Sequence, residues 1–144
     1  MKSLIPIIII FVFLLPGCGK KGPPVPPRLK PVPAVSDLKY SIEGNILTLT
    51  WTIPKGKEKS VPDGFVVYRY KRPVSDSDCR DCPKLFQKVS DIPADNAINA
   101  PGNETKNIIY REEVKKGFVY TYKVVVYNKS GAQSRDSNNI NFNF

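Results

Sequence analysis

The side chains that most often carry out chemistry in proteins are scarce in this 144-residue chain. It has no histidine and only three cysteines, Cys18, Cys79 and Cys82. The lack of histidine excludes Ser-His-Asp and Cys-His nucleophile systems and every metal site that uses imidazole ligands. Carboxylates and thiols are therefore the groups to consider.

The carboxylates are poorly placed for catalysis. Glu112 and Glu113 are adjacent, and neighbouring side chains of an extended segment point to opposite faces, so they make a poor acid/base pair. A calcium loop would need more oxygen ligands than Asp76, Asp78 and Asp81 offer, and usually a glycine turn. We therefore interpret these aspartates as a solvated acidic loop, with a metal site as the alternative. The sequence predicts no enzyme, no cofactor and no small-molecule substrate.

Cys18 follows an apolar run at the N-terminus. Residues 4–15 are all apolar after a basic start, which is shorter than the roughly 20 residues of a membrane span and fits the centre of a secretory signal. The segment Leu15-Pro16-Gly17-Cys18 resembles the lipobox of bacterial lipoproteins, although Pro16 stands where alanine or serine is commoner. The resemblance implies that residues 1–17 are a signal peptide and that Cys18 carries the lipid.

This resemblance also implies a location. Acyl chains such as palmitate on Cys18 would hold the protein on a membrane, since each buried methylene contributes about 0.8 kcal/mol. The next residue is Gly19 and not the aspartate that retains enteric lipoproteins in the inner membrane. We therefore expect a lipid anchor in the outer membrane that faces the periplasm.

Residues 18–34 are rich in proline and predict a linker. Six prolines lie between Pro23 and Pro33, which favours polyproline II at about 3.1 Å per residue and a stiff spacer of roughly 40–50 Å. The stretch CGKKGPPVPP resembles the start of a very short lipoprotein that assists maturation of the lipopolysaccharide translocon. A proline-rich ligand for a partner groove is a further alternative to a plain spacer.

The basic charge of the chain could suggest nucleic acid as a partner, but the expected location argues against it. Removing residues 1–17 takes away one lysine and no acidic residue, so the remaining 127 residues carry 21 basic and 13 acidic side chains, a net charge of +8. An exported, tethered protein meets little nucleic acid. Anionic lipid headgroups are the more plausible electrostatic partners, and the scattered basic residues favour plain solubility over a dedicated anionic site.

Residues 35–144 alternate in the manner of β-strands. Leu47, Leu49 and Trp51 fall on one face of the first such segment, and Thr48 and Thr50 on the other. Further strands are predicted at residues 65–70, 86–92, 107–111 and 118–128, with alternation again at 140–144. Short strands at regular spacing with turn signals between them predict an all-β antiparallel sandwich.

Several of these segments together resemble a fibronectin type III domain, an immunoglobulin-like fold. They are LTLTW at residues 47–51, GFVVYR at 64–69, and the spaced pattern of Val, Gly, Tyr and Asn at 114–131. The resemblance implies a core role for Trp51 and a tyrosine corner at Tyr120, whose hydroxyl would bond backbone. The cell-adhesion tripeptide Arg-Gly-Asp is absent, so integrin-like binding is not implied.

The alternation predicts one candidate binding face. The residues expected to face the core are Phe65, Val67, Tyr120, Tyr122, Val124 and Val126. Pleating then places a second set on the opposite face, Val66, Tyr68, Tyr70, Val125 and Tyr127, with Thr121 and Lys123 at its edge. An apolar and aromatic surface patch favours protein binding. The alternatives are that such residues simply suit a half-buried strand, or that residues 73–85 fold over them.

Cys79 and Cys82 are the only cysteines left once Cys18 is lipidated. In an oxidising compartment we expect them to form an intramolecular disulfide. Free or intermolecular thiols and a redox role remain alternatives, although redox motifs of this spacing belong to βαβ folds. Pro83 excludes haem attachment, because the histidine would stand there.

Two functional hypotheses follow. In the first, the protein is a lipid-anchored envelope lipoprotein whose fibronectin type III domain binds another envelope protein. In the second, it is an envelope assembly or maturation factor that acts through its basic, proline-rich N-terminus, and the sandwich contributes bulk or stability.

Overall fold

The structure is a computed structural model that describes residues 32–54, 62–76, 82–95 and 107–144. The predicted signal peptide, Cys18, Cys79 and nearly all of the linker lie outside these residues. The described residues form seven strands: β1 (Lys39–Glu43), β2 (Ile46–Thr52), β3 (Gly64–Pro73), β4 (Gln87–Pro93), β5 (Asn107–Glu113), β6 (Phe118–Tyr127) and β7 (Ile140–Asn143).

The strands form two antiparallel sheets. One has three strands in the order β1-β2-β5, and the other has four in the order β4-β3-β6-β7. The chain passes from one sheet to the other after β2, after β4 and after β5, as it does in immunoglobulin-like folds. The predicted all-β antiparallel sandwich of fibronectin type III form is confirmed.

The core lies between the sheets and follows the predicted alternation. Leu47, Leu49 and Trp51 of β2 are almost completely buried, and the Trp51 ring meets Phe65 edge to face at a centroid distance of 5.7 Å. All six residues of β3 and β6 that were expected to face the core belong to the same buried cluster. Period-two alternation therefore predicted the inner face of both sheets correctly.

The tyrosine corner is also confirmed. The Tyr120 hydroxyl accepts a hydrogen bond from the Lys115 amide at 2.9 Å and donates one to the Lys115 carbonyl at 3.2 Å. Gly117, with φ of 84°, turns the chain between this backbone and the start of β6. The buried ring thus fixes the crossover from β5 to β6.

Two features of the strands differ from expectation. Strand β1 was not predicted, although Gly44, with φ of 62°, and Asn45 form a two-residue hairpin loop between β1 and β2. Of its apolar residues, Ile42 is partly buried and Tyr40 is 45% exposed, as is common in an edge strand, so its alternation is a weak signal. Strand β3 continues three residues past Tyr70 because it pairs with the full length of β6.

Candidate interaction surface

The outer face of the β4-β3-β6-β7 sheet carries the five residues predicted to bind a partner. In the β3–β6 register Val66 pairs with Val125, Tyr68 with Lys123, and Gly64 with Tyr127. Residues that are paired across strands point to the same side of a sheet. The five residues therefore share one face, opposite the core.

Two of the five residues on this face are more deeply buried than predicted. Val66 and Val125 are each only 6% exposed, yet neither belongs to the core cluster. They lie at the centre of the sheet, where the longer side chains of Tyr68, Lys123 and Tyr127 are their next neighbours on the same face. Val66 and Val125 therefore offer little surface to a partner in this structure, and they lie beneath the longer side chains of the same face.

The edge of the predicted patch is also buried. Thr121 is 2% exposed, and its hydroxyl donates a hydrogen bond to Asn141 Oδ1 of β7 at 2.8 Å. This polar contact joins β6 to β7 on the outer face. Thr121 is therefore part of the sheet's own packing.

The accessible part of the face is a set of rings and lysines that we call the aromatic–lysine cluster: Tyr68, Tyr70, Phe86, Lys84 and Lys123. The Phe86 ring packs against Tyr70 at 6.2 Å, and Lys123 Nζ lies 4.2 Å from the Phe86 centroid. Lys123 Nζ is also 5.8 Å from the Tyr68 ring, and Lys84 Nζ is 5.9 Å from the Tyr70 ring. These are cation–π distances, so the rings and cations hold one another in place.

Phe86 and Lys84 were not predicted to belong to this face. Lys84 belongs to the end of the loop that was considered as a cover and Phe86 directly follows it, and both overlie only the Tyr68–Tyr70 end of the patch. Between them Leu85 is 80% exposed. The patch is therefore partly covered, but the cover itself presents an aromatic ring, an aliphatic side chain and a cation to solvent.

Tyr127 occupies the other end of the face in a different way. Its hydroxyl donates a hydrogen bond to Asp91 Oδ1 at 2.8 Å, and Asp91 Oδ2 accepts a second one from Lys88 Nζ at 2.7 Å. These bonds, from Lys88 first and then Tyr127, lower the pKa of Asp91, and Asp91 in turn raises the pKa of Tyr127. The Tyr127 ring lies across Gly64, where any Cβ would overlap it. Tyr127 is thus held by the fold and is a poorer contact residue than Tyr68 or Tyr70.

The charges around the cluster are unevenly paired. Lys123 Nζ is 2.8 Å from Asp136 Oδ2, with side chains that are 19% and 54% exposed respectively. Lys84 is exposed, and no carboxylate of the described residues lies within ion-pair distance of it. The cluster therefore contains one cation with a solvent-exposed partner and one with none among the residues described.

The inner side of the same strands holds polar residues that the sequence did not reveal, which we call the inter-sheet cluster: Arg69, Tyr110, Glu112 and Tyr122. Arg69 Nη1 donates to both carboxylate oxygens of Glu112 at 3.1 Å. The Tyr110 hydroxyl donates to Glu112 Oε2 at 2.6 Å, and the Tyr122 hydroxyl donates to Glu112 Oε1. Because β3 and β6 belong to one sheet and β5 to the other, Glu112 ties the two sheets together.

The pKa shifts within the inter-sheet cluster indicate that it stabilises the fold. Burial and then the bond to Glu112 raise the pKa of Tyr122 and of Tyr110 far above their usual values. Burial alone would lower the pKa of Arg69, but the charge of Glu112 outweighs it and the pKa is raised. All three partners therefore keep their protons at neutral pH, and the Glu112 oxygens are occupied. Glu113, as expected, points the other way and accepts a bond from Asn45 Nδ2.

A signal for this cluster was present in the alternation. Arg69 stands two residues after Val67, so pleating puts it on the core face. An arginine at a core position requires an anion nearby, and the alternation of β5 offers one. What the sequence could not supply was which carboxylate meets it.

Cys82 is exposed and disulfide-bonded. The other two cysteines both lie outside the described residues, so the pairing of Cys82 with Cys79 stays a prediction.

Metal and membrane features can be stated for the described ranges alone. There, no three His, Cys, Asp or Glu side chains come close enough to hold a metal ion. Among the same residues, no helix has the length and apolarity that crossing a bilayer requires.

Comparison with solved structures identifies the class of fold. The third fibronectin III domain of the human KIAA0343 protein aligns with a TM-score of 0.53 and 15% identity, over 87% of this chain and 91% of that one. The titin kinase with its flanking domains aligns at 0.50 and 18% identity, over 76% of this chain but only 16% of the other. The chain is a fibronectin type III-like β-sandwich. No protein-family model matches it, and no curated protein is significantly similar.

Proposed function

We propose that the protein is a non-enzymatic, lipid-anchored lipoprotein of the cell envelope, whose fibronectin type III-like domain binds another envelope protein. The observation that carries this proposal is the aromatic–lysine cluster on the outer face of the β4-β3-β6-β7 sheet. Domains of this fold commonly serve as interaction modules. In this domain the cluster brings three half-buried aromatic rings together on one sheet face.

The composition of the cluster suits a protein interface. Aromatic residues supply much of the binding energy in such interfaces, and tyrosine combines a large apolar area with few rotatable bonds. Tyr68 and Tyr70 are half-buried and stand on a rigid sheet, so little conformational entropy is lost when a partner covers them. The buried side chains of Val66 and Val125 pack on the same face of the sheet and support the two tyrosines.

The anchor proposed at Cys18 would determine where the partner is met. With the lipid in the outer membrane and a stiff linker of roughly 40–50 Å behind it, the domain would stand in the periplasm. The linker would limit the domain to partners within that distance of the membrane. This part of the proposal is supported by the resemblance of residues 15–18 to a lipobox.

A photo-crosslinking experiment in living cells tests the binding face. A crosslinking amino acid at position 70 should give a discrete adduct with one envelope protein. The matched control is position 109, because Ile109 is 52% exposed on the outer face of the other sheet. Adducts at 109 that equal those at 70, or none at either position, would overturn the assignment of the binding face.

The second candidate is an assembly or maturation factor that acts through its N-terminus. The similarity of CGKKGPPVPP to a short lipoprotein of lipopolysaccharide-translocon maturation favours it. A chain that keeps residues 1–34 and lacks 35–144 separates the two. Full complementation of a deletion strain by this short chain would support the second function and contradict the first.

A further inference from the structure

We infer that the aromatic–lysine cluster binds an acidic segment of a partner protein, with partner carboxylates at Lys84 and Lys123 and an apolar side chain on Tyr70 and Phe86. This inference rests on the proposed function and adds the chemistry of the partner. It follows from how the lysines of the outer face are paired.

Lys123 shows that a carboxylate can occupy this surface. Its ammonium group lies on the Phe86 ring and still reaches Asp136 Oδ2 at 2.8 Å. The Asp136 side chain is 54% exposed, so its bond to Lys123 is a surface ion pair of small net stability. A carboxylate from a partner can replace it at little cost, and Asp136 thus acts as an internal competitor.

Lys84 is the more accessible cation of the cluster. It lies over the Tyr70 ring without a carboxylate among the described residues. A cation on a ring face remains able to donate hydrogen bonds outward, since the ring supplies no acceptor oxygen. Next to it stand the exposed Leu85 and the half-buried Phe86. A segment with both acidic and apolar side chains would satisfy the cation and cover the apolar surface together.

A third lysine completes the positive rim. Lys88 of β4 and Lys123 of β6 are the cross-strand partners of Tyr68, so they flank its ring on both sides. Lys88 is occupied by Asp91 at 2.7 Å. Among the residues that the structure describes, the three lysines near Tyr68 and Tyr70 thus meet two aspartates, and the excess of positive charge is located at Lys84.

The geometry favours a polypeptide over a lipid surface. Recognition of anionic membranes typically uses clusters of about four to eight lysines or arginines, whereas this cluster has three lysines nearby and two are ion-paired. Lys123 also lies along the face of the Phe86 ring, with a side chain only 19% exposed, instead of extending into solvent. Such a surface suits close contact with a chain laid across it.

Lysine footprinting on the full-length lipidated protein in neutral detergent tests the inference. The probe is a synthetic peptide of Glu-Glu-Leu repeats, its control is the same peptide with glutamine for glutamate, and a second arm uses phosphatidylglycerol vesicles. We expect the acidic peptide to protect Lys84 and Lys123 from amine acetylation. Equal protection by the glutamine peptide, or protection by the vesicles alone, would overturn the inference.

Charge variants then measure the contribution of each group. Replacing both cations, Lys84→Gln with Lys123→Gln, should weaken binding of the acidic peptide roughly tenfold, as expected for the loss of two exposed ion pairs. Asp136→Asn should strengthen it about threefold, because the internal competitor is gone. Lys129→Gln is the matched control, since this 90%-exposed lysine is near Asp63 at the other end of the face. An effect of Lys129→Gln equal to that of the double variant would contradict the assignment.

The two proposals can fail separately. If position 70 still crosslinks a partner in cells while the Lys84 and Lys123 variants bind it unchanged, the docking face stands and the acidic chemistry is wrong. If crosslinking at position 70 also fails, the docking face itself is wrong.

Discussion

Strands β3 and β6 carry a cluster of aromatic rings and cations on each of their two faces. On β3, Arg69 points inward while its neighbours Tyr68 and Tyr70 point outward. On β6, Tyr122 points inward and Lys123 outward. The inner and outer clusters are thus built from adjacent residues of the same strands, and they differ in what surrounds them.

The difference is in how the cation is paired. Inside, Arg69 meets the Glu112 carboxylate from the other sheet, and two phenols donate further hydrogen bonds to that carboxylate. Outside, Lys123 and Lys84 rest on ring faces, and only an exposed aspartate approaches Lys123. A buried charge must be paired for the fold to be stable, whereas an exposed one need not be. The inner cluster therefore serves the fold, and the outer one remains available for a partner.

The largest expected effect comes from removing the inner carboxylate. Glu112→Leu leaves Arg69 and two buried hydroxyls without their acceptor, so we expect the free energy of unfolding to fall by about 3 kcal/mol. That is the low end for a broken buried pair, because the Arg69 side chain keeps 26% exposure. Denaturant unfolding at neutral pH measures it.

Glu113→Leu is the matched control for this variant. It changes the adjacent residue in the same way, but on the outer face, where we expect a change within about 0.5 kcal/mol. Equal losses for the two variants would mean that the inner cluster contributes nothing special to stability.

The second prediction concerns alkaline pH. The raised pKa values of Tyr110 and Tyr122 mean that both stay protonated in the folded protein while the unfolded chain loses these protons near pH 10. Their contribution to stability is complete below about pH 10 and is lost as the pH rises further. The free energy of unfolding should then fall by up to about 2.7 kcal/mol per pH unit for the two groups.

Unfolding curves across the alkaline range measure this slope, with tyrosinate absorbance as a second signal. Tyr110→Phe with Tyr122→Phe should remove most of the slope, because phenylalanine does not titrate. A slope that this double variant leaves unchanged would show that other groups govern alkaline unfolding.

The tyrosine corner offers a comparison between two hydroxyls of β6. Tyr120→Phe removes a buried hydroxyl that bonds the Lys115 backbone twice, and we expect a loss of about 1–2 kcal/mol. Tyr127→Phe removes an outer hydroxyl bonded to the exposed Asp91, and should cost about 0.5 kcal/mol or less. Thermal and denaturant unfolding of both variants tests the order; the reverse order would contradict the contrast between inner and outer faces.

The alternation of the sequence predicted well to which side of a sheet each side chain points. It did not predict how deeply a side chain is buried or which distant residues pair. It placed Leu47 and Trp51 in the core, and Val66 and Val125 on the outer face. It could not show that these two valines are covered, because depth depends on the side chains beside them. Nor could it join Arg69 to Glu112, since two residues 43 positions apart on different sheets meet only when the sheets pack.

The contact of Phe86 with Lys123 escaped prediction for a similar reason. It depends on the path of the chain into β4, and the residues next to Phe86 in the sequence do not indicate that path. The tyrosine corner was predicted from the resemblance of residues 114–131 to a fibronectin type III domain, and such a motif can be recognised in a sequence because its two partners lie only five residues apart. Local hydrogen bonds can thus be predicted from this sequence, whereas contacts between distant strands cannot.

The smallest expected effect is that of removing the outer cation Lys84, and the same type of substitution at the inner cation Arg69 is its comparison. Lys84→Gln removes a charge that no described carboxylate meets, so the free energy of unfolding should change by no more than about 0.5 kcal/mol. Arg69→Gln removes the partly buried partner of Glu112 and should cost about 3 kcal/mol, the low end for a broken buried pair. Denaturant unfolding of the two variants side by side gives the ratio directly. A loss of more than about 1.5 kcal/mol for Lys84→Gln would mean that its contact with the Tyr70 ring holds the loop onto the sheet. The outer cluster would then belong to the fold as much as the inner one does, and the distinction between them would fail.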